Sequence, residues 1–365
     1  MGEQKTVLVA MSGGVDSSIT AALLKKEGHH VIGVTMQIWP ADAPAPAGDT
    51  GCCSLAAVDD ARRVANKLDI PYYVMNFRDY FAEKVIDYFT AEYMAGRTPN
   101  PCIACNRYVK FEALLHKALA IGADCIATGH YARIGFDAGR GRWTMRKAVD
   151  RNKDQTYVLY GFTQEQLART LMPLGDYTKP QVRQLAADLG LAVAEKPESQ
   201  EICFVPDDDY RGFLRERVGD QIHPGPFLDL RGQVVGRHQG IAYYTIGQRR
   251  GLGLALGYPA YVVEIDPERN AVIVGPGHAL LREGLIAREN NFILIDRLDA
   301  PVEVQAKIRY KADEAPATLL PQPDGRVEVR FHAPQRAITP GQAVVYYQED
   351  MVVGGGVIDA SLSVL

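Results

Sequence analysis

Residues Ser12-Gly13-Gly14-Val15-Asp16-Ser17-Ser18 constrain the fold of this chain more than any other stretch. They follow an apolar run that ends at Met11 and lead at once into a helical apolar pattern, so they join a strand to a helix. The two glycines let backbone N–H groups approach an anion, while Ser17, Ser18 and the helix N-terminus add donors and a favourable dipole. Such a loop is built for phosphate. It lacks the lysine of a Walker loop and the glycine spacing of a dinucleotide fingerprint, which disfavours phosphoryl transfer by the first route and hydride transfer by the second. Asp16, negative beside a site for negative phosphates, makes sense if it orients loop donors or holds Mg²⁺.

Around this loop the N-terminal third alternates short apolar runs with helix-length amphipathic segments. Thr6–Met11, Val31–Met36, Tyr72–Met75 and Cys125–Thr128 read as strands; Ser17–Glu27, Leu55–Leu68, Tyr80–Tyr93 and Tyr108–Ala120 read as helices. The expected fold class is α/β, a doubly wound parallel sheet carrying a pyrophosphate-binding loop. Beyond about residue 210 the texture changes to short alternating apolar segments punctuated by Gly and Pro, such as Tyr261–Ile265, Val302–Ile308, Val327–Phe331 and Ala343–Tyr347. Two smaller β-rich domains are expected there. With a break near Leu281–Gly284, the domains run 1–212, 213–283 and 284–365, the last a β-barrel.

At 365 residues, 47% of them hydrophobic, the chain can bury a sizeable core. Neither a signal-peptide pattern at Met1-Gly2-Glu3-Gln4-Lys5 nor an apolar run of membrane-spanning length is seen, so a cytoplasmic location is expected. A net charge of −4 gives no global nucleic-acid signal. Locally, Arg140, Arg142, Arg146, Lys147, Arg151 and Lys153 cluster, which suits a phosphate backbone or a solvated loop.

Six cysteines are too few for a disulfide scaffold in so long a chain, and in a reducing compartment they point to buried, metal-bound or reactive thiols. Gly96-Arg97-Thr98-Pro99-Asn100-Pro101 reads as a stiff loop leading to Cys102-Ile103-Ala104-Cys105-Asn106-Arg107, after which a helix begins. Cys105, near a helix N-terminus and close to Arg107, is placed to be reactive. Cys203 follows the polar stretch Lys196–Ile202 and precedes Phe204; by itself it reads as a buried hydrophobe more readily than as a nucleophile. Cys52-Cys53 is a vicinal pair beside a Pro/Gly-rich loop, and Cys125 falls in a strand. Cys102, Cys105 and Cys203 as three ligands of an iron–sulfur cluster is a competing arrangement.

The Ser-Gly-Gly-Val-Asp-Ser string resembles the pyrophosphate-binding loop of enzymes that adenylate a carbonyl oxygen. Together with Gly96–Asn106, Ala127-Thr128-Gly129-His130-Tyr131, Asn152–Gln155, Gly240 with Tyr244–Gly253, Lys307-Ile308-Arg309-Tyr310 and Thr339-Pro340-Gly341-Gln342, it makes nearly the whole chain resemble the bacterial tRNA-specific 2-thiouridylases. That resemblance implies a tRNA-uridine 2-sulfurtransferase using ATP and Mg²⁺. ATP would be held by Ala10, Met11, Ser12, Gly13, Gly14, Val15, Asp16, Ser17, Met36 and Gly129, with Mg²⁺ near Asp16. Cys105 would be the nucleophile and Cys203 the persulfide carrier; either the persulfide attacks the base directly, or Cys105 reduces it and frees sulfide for attack, leaving a Cys105–Cys203 disulfide. Asn100, Pro101 and Cys102 would lie beside the target base; His130, Lys153, Asp154, Gln155, Arg309, Tyr310 and Gln342 would contact tRNA. The family loop often reads Asn-Pro-Asp where Asn100-Pro101-Cys102 stands here, so a carboxylate role at that position has no bearer.

The implied reaction adenylates the C2 oxygen of the wobble uridine and replaces it with sulfur, loaded by an upstream persulfide donor protein. A cluster-dependent tRNA thiolase and a non-catalytic RNA-binding sulfur carrier are the alternatives.

Overall fold

The computed structural model describes residues 3–39, 55–197, 202–205 and 208–363. Cys52 and Cys53 lie outside the described residues. The fold falls into two compact units: Met1–Val85, Cys102–Asp208 and Asp350–Val352 form one, and Ile86–Pro101, Asp209–Glu349 and Val353–Leu365 the other.

In the first unit, β1 (Thr6–Ala10) pairs in parallel with β2 (His30–Gln37) on one side and β4 (Cys125–Ala127) on the other. β2 continues to β3 (Tyr72–Asn76), and β4 to the short β7 (Thr170–Leu171), also in parallel. Val7, Leu8 and Val9 are fully buried, the continuous apolar run expected of a strand covered on both faces. Helix α1 (Val15–Lys26) is buried along most of its length, and its polar residues are absorbed locally: the Ser18 and Thr20 hydroxyls donate to the Gly14 and Asp16 carbonyls. Helix α2 (Leu55–Lys67) follows, with Ala61, Val64 and Ala65 in the core. The strand order β3-β2-β1-β4-β7 reverses direction at β1, which makes the carboxyl ends of β1 and β4 a topological switch point, where doubly wound sheets bind ligands.

The basic cluster takes a form that the sequence reading did not foresee. β5 (Ala132–Asp137) and β6 (Arg142–Lys147) make an antiparallel hairpin, with Arg140 at its turn paired to Asp137 at 3.4 Å and Arg146 to Asp350 at 3.9 Å. Of these cations Arg142, Arg146 and Lys147 lie on β6, the two arginines on one face and Lys147 on the other, while Arg140, Arg151 and Lys153 fall in turns.

In the second unit, β8 (Gly225–Leu228), β9 (Val234–His238), β10 (Tyr261–Asp266) and β11 (Ala271–Gly275) form a sheet in the order β10-β11-β8-β9. The remaining strands, β12 (Leu281–Phe292), β13 (Val302–Lys307), β14 (Ala315–Pro321), β15 (Val327–Arg336), β16 (Ala343–Gln348) and β17 (Met351–Leu362), run in the order β12-β15-β14-β13-β16-β17. Pairing of β12 with β17 closes them into a six-stranded barrel. The chain turns at Gly277–Leu280, so Leu281–Gly284, read as a break, already runs as strand.

Candidate functional site

The loop after β1 closes on itself. The Ser12 amide donates to Ser17 Oγ at 3.1 Å, and the Ser17 and Ser18 hydroxyls donate to the Gly14 carbonyl at 3.2 and 2.8 Å. Those hydroxyl bonds shape the loop. What the loop presents is backbone, since the first-turn amides of α1 have no intrahelical acceptor. Gly13 is required twice over: its φ is +68°, and a Cβ there would stand 2.2 Å from the Ala57 carbonyl oxygen. A Cβ on Gly129, just past β4, would stand 2.7 Å from the Ser17 nitrogen, so the bare backbone lets the sheet lie against the start of α1. Met36 sits half-buried at the carboxyl end of β2. Loop, Gly129 and Met36 thus share the carboxyl edge of the sheet, a cradle that fits a nucleotide polyphosphate.

Two lysines that sequence reasoning missed border this loop. Lys179, buried at the start of the helix Lys179–Asp188, donates to both carboxylate oxygens of Asp16 at 2.7 and 2.8 Å, and the Tyr131 hydroxyl donates to Asp16 Oδ1 at 2.8 Å. Lys196 donates to the Gly13 carbonyl at 3.2 Å and to Asp60 Oδ2 at 2.7 Å. Nothing local in the sequence marks either lysine, because both reach the loop across more than 160 residues. Both Asp16 oxygens are engaged by the Lys179 ammonium, and among the described residues no three His, Cys, Asp or Glu gather for a metal.

The helix bearing Cys105 starts earlier than its apolar pattern indicates. Pro101, preorganised for a first helical turn, opens Pro101–Ala104; the winding then widens to a π-helix over Cys105–Ala113 and returns to α over Leu114–Ala120. Cys102 is therefore the exposed thiol of the first turn, and Cys105, half-buried, stands a turn further in. Cys102 thus stands nearer the helix N-terminus, and Cys105 lies further in, ahead of Asn106 and Arg107. Asn106 anchors the helix by donating to the Val158 carbonyl at 3.0 Å, and the Arg107 guanidinium lies 5.4 Å from the Tyr108 ring centre. Cys203 is half-buried because its neighbour takes the core position: Phe204 is buried edge-on to Phe81, with centroids 5.8 Å apart. Cys125 is buried in β4, where burial pushes its thiol pKa up and keeps it inert.

Three family models cover the chain. Residues 5–207 match a tRNA methyl transferase HUP domain, 211–276 a tRNA methyl transferase PRC-barrel domain, and 282–358 an aminomethyltransferase β-barrel domain. The tRNA-specific 2-thiouridylase MnmA of Pelotomaculum thermopropionicum is 63% identical over 360 residues, 98% of either chain. The chain belongs to the tRNA-specific 2-thiouridylase family. The 2-thiouridylase of Moorella thermoacetica is likewise 63% identical, over 97% of this chain and 99% of that one. The family models speak of methyl transfer and the relatives of thiolation; full-length identity at this level carries more weight than a domain description.

The positions that the 2-thiouridylase resemblance assigned to tRNA lie in varied surroundings. Arg309 and Tyr310 are exposed after β13. His130 is buried, 2.7 Å from the Thr128 hydroxyl, and burial together with the Lys110 charge holds its pKa well below the usual imidazole value, so it is neutral. Asp154 accepts from the Ala148 amide and the Thr156 hydroxyl, and Gln155 Oε1 accepts from the Tyr131 amide at 2.9 Å. Lys153, between hairpin and turn, is half-buried. Gln342 reaches the Thr98 carbonyl at 2.9 Å, in the loop that ends at Asn100 and Pro101. No helix among the described residues is long and apolar enough to cross a membrane.

Proposed function

We propose that this protein thiolates C2 of the wobble uridine of tRNA at the expense of ATP. The observation that carries the reading is the 63% identity to a tRNA-specific 2-thiouridylase over 98% of both chains, together with a phosphate cradle at the switch point of the sheet. A uracil C2 carbonyl is a poor electrophile, and its oxygen is a poor leaving group until it is derivatised. In this reading the C2 oxygen attacks the α-phosphorus of ATP and pyrophosphate departs, held by the loop amides of Gly13 to Ser17. Mg²⁺ would be held with the nucleotide near Asp16 and would neutralise charge developing on the phosphates.

Sulfur comes from a persulfide on Cys203, loaded by a separate donor protein. Its terminal sulfur attacks C2 and AMP leaves; Cys105 thiolate then attacks the Cys203 sulfur, breaking the S–S bond and leaving 2-thiouridine with a Cys105–Cys203 disulfide. A thiol reductant resets the pair. The half-buried setting of both cysteines supports this assignment over Cys125, whose thiol is buried and inert. Asn100 and Pro101 would flank the base, which must leave the anticodon stack to reach a thiol.

The test is sulfur incorporation into unmodified tRNA with ATP, Mg²⁺ and a persulfide source. Cys105→Ser and Cys203→Ser are expected to abolish it, and Cys102→Ser to retain it. Loss of activity in all three, tracking bound iron, would replace this reading with cluster chemistry.

A further inference from the structure

Two sequence motifs are left without a task by the reaction itself, Tyr244–Gly253 in the four-stranded module and Thr339–Gln342 in the barrel. Both end on the same residue of the loop that leads to Asn100. The Thr98 amide donates to the Pro340 carbonyl at 2.9 Å, and Gln342 Nε2 donates back to the Thr98 carbonyl at 2.9 Å, so the barrel turn brackets one residue through its backbone. From the other module, the Thr245 hydroxyl lies 3.3 Å from that of Thr98.

The bracket is built to be close. Gly341 has φ of +90°, and a Cβ there would stand 2.8 to 3.0 Å from the nitrogen, carbon and oxygen of Thr98, so no other residue lets the turn approach. The turn is itself tied to β17, with the Gly341 amide donating to the Ile358 carbonyl at 2.9 Å and the Ile358 amide to the Gln342 carbonyl at 2.8 Å. One residue earlier, Arg97 donates to Glu92 at 2.9 Å and to the Ile358 carbonyl at 3.1 Å. Thr245 is held in turn by Gln248, whose side-chain oxygen accepts from the Thr245 amide at 3.2 Å. All of these residues belong to the second unit.

We propose that the two β-rich modules act as a vice on Thr98 that fixes the backbone of the target-base loop, with Gln342, Gly341 and Thr245 as positioning residues. This rests on the thiolation reading for the loop's task. Gln342 directs its side-chain nitrogen at the loop backbone, at the Thr98 carbonyl and, at 3.5 Å, the Pro99 carbonyl, which precedes Asn100. A reacting base displaced by about 1 Å loses on the order of a hundredfold in rate, so a fixed loop is worth a dedicated scaffold.

The test compares wild type with Gln342→Ala, Gly341→Ala, Thr245→Val and Thr245→Ser, following kcat, KM for tRNA and backbone hydrogen exchange at Thr98 and Asn100. The expected result is a kcat lowered about a hundredfold by Gln342→Ala and Gly341→Ala, and about tenfold by Thr245→Val. KM for tRNA should stay within about twofold, exchange should quicken at both amides, and Thr245→Ser should restore most of the rate. A raised KM with unchanged kcat for Gln342→Ala overturns the proposal and makes Gln342 a direct RNA contact; unchanged exchange also overturns it. If Gly341→Ala does not fold, the near-isosteric Thr245→Val and Thr245→Ser pair decides. A wild-type enzyme that inserts no sulfur would sink the thiolation reading, while the exchange data still judge the vice.

Discussion

Asp16 stands in the first turn of α1, where the helix dipole favours a carboxylate, and it is matched there by a lysine from another helix. The Lys179 side chain is 8% exposed and that of Asp16 29%, so each charge depends on the other to stay inside. Replacing Lys179 by Met should therefore destabilise the first unit by about 2 kcal/mol, and replacing Asp16 by Asn, which strands the more buried ammonium, by about 3 kcal/mol. The double variant should lose less than the sum of the two by at least about 1 kcal/mol, as read from urea unfolding; strict additivity would show that the pair is not coupled. The same residue scale explains why Cys203 was hard to read. A lone cysteine before Phe looks like core, and only the burial of Phe204 against Phe81 shows which of the two neighbours faces inward.

At the scale of elements, the strand, loop and helix around residues 6–26 followed from the apolar pattern because a covered parallel sheet leaves so plain a signature. The start of the Cys105 helix does not follow from it, since its first turn carries no apolar period; Pro101 is the available signal, and beside Pro99 it reads equally as loop. The β5–β6 hairpin was hidden by its charge, which drew attention to cations and away from alternation. Gly129 joins two elements: it lets the sheet touch the N-terminus of α1, and a methyl group there must push the phosphate loop outward. Gly129→Ala is expected to weaken ATP binding at least about tenfold in calorimetry, with a far-UV spectrum like wild type. Unaltered affinity would mean that the loop can move without harm to the nucleotide.

For the whole molecule, a net charge of −4 supplies no global attraction for tRNA, so local cations are expected to supply it, and Arg309, exposed beside Tyr310, is a candidate. Arg309→Ala should lower tRNA affinity and reduce the slope of log affinity against log salt by about one, in filter-binding titrations across salt; an unchanged slope would remove Arg309 from the phosphate contacts. By itself the sequence determined the α/β class, the phosphate loop at its strand–helix junction and the β-rich texture of the remainder, because each of these is written in residues adjacent along the chain. Only the tertiary structure decided that Asp16 faces Lys179, that Lys196 reaches the Gly13 carbonyl, and that Thr98 is gripped by Thr245 and Gln342. Those partners lie between 147 and 244 residues apart along the chain. Periodicity records which face of an element is buried, but not which distant side chain it meets, and hydrogen bonds of this kind leave no period to read.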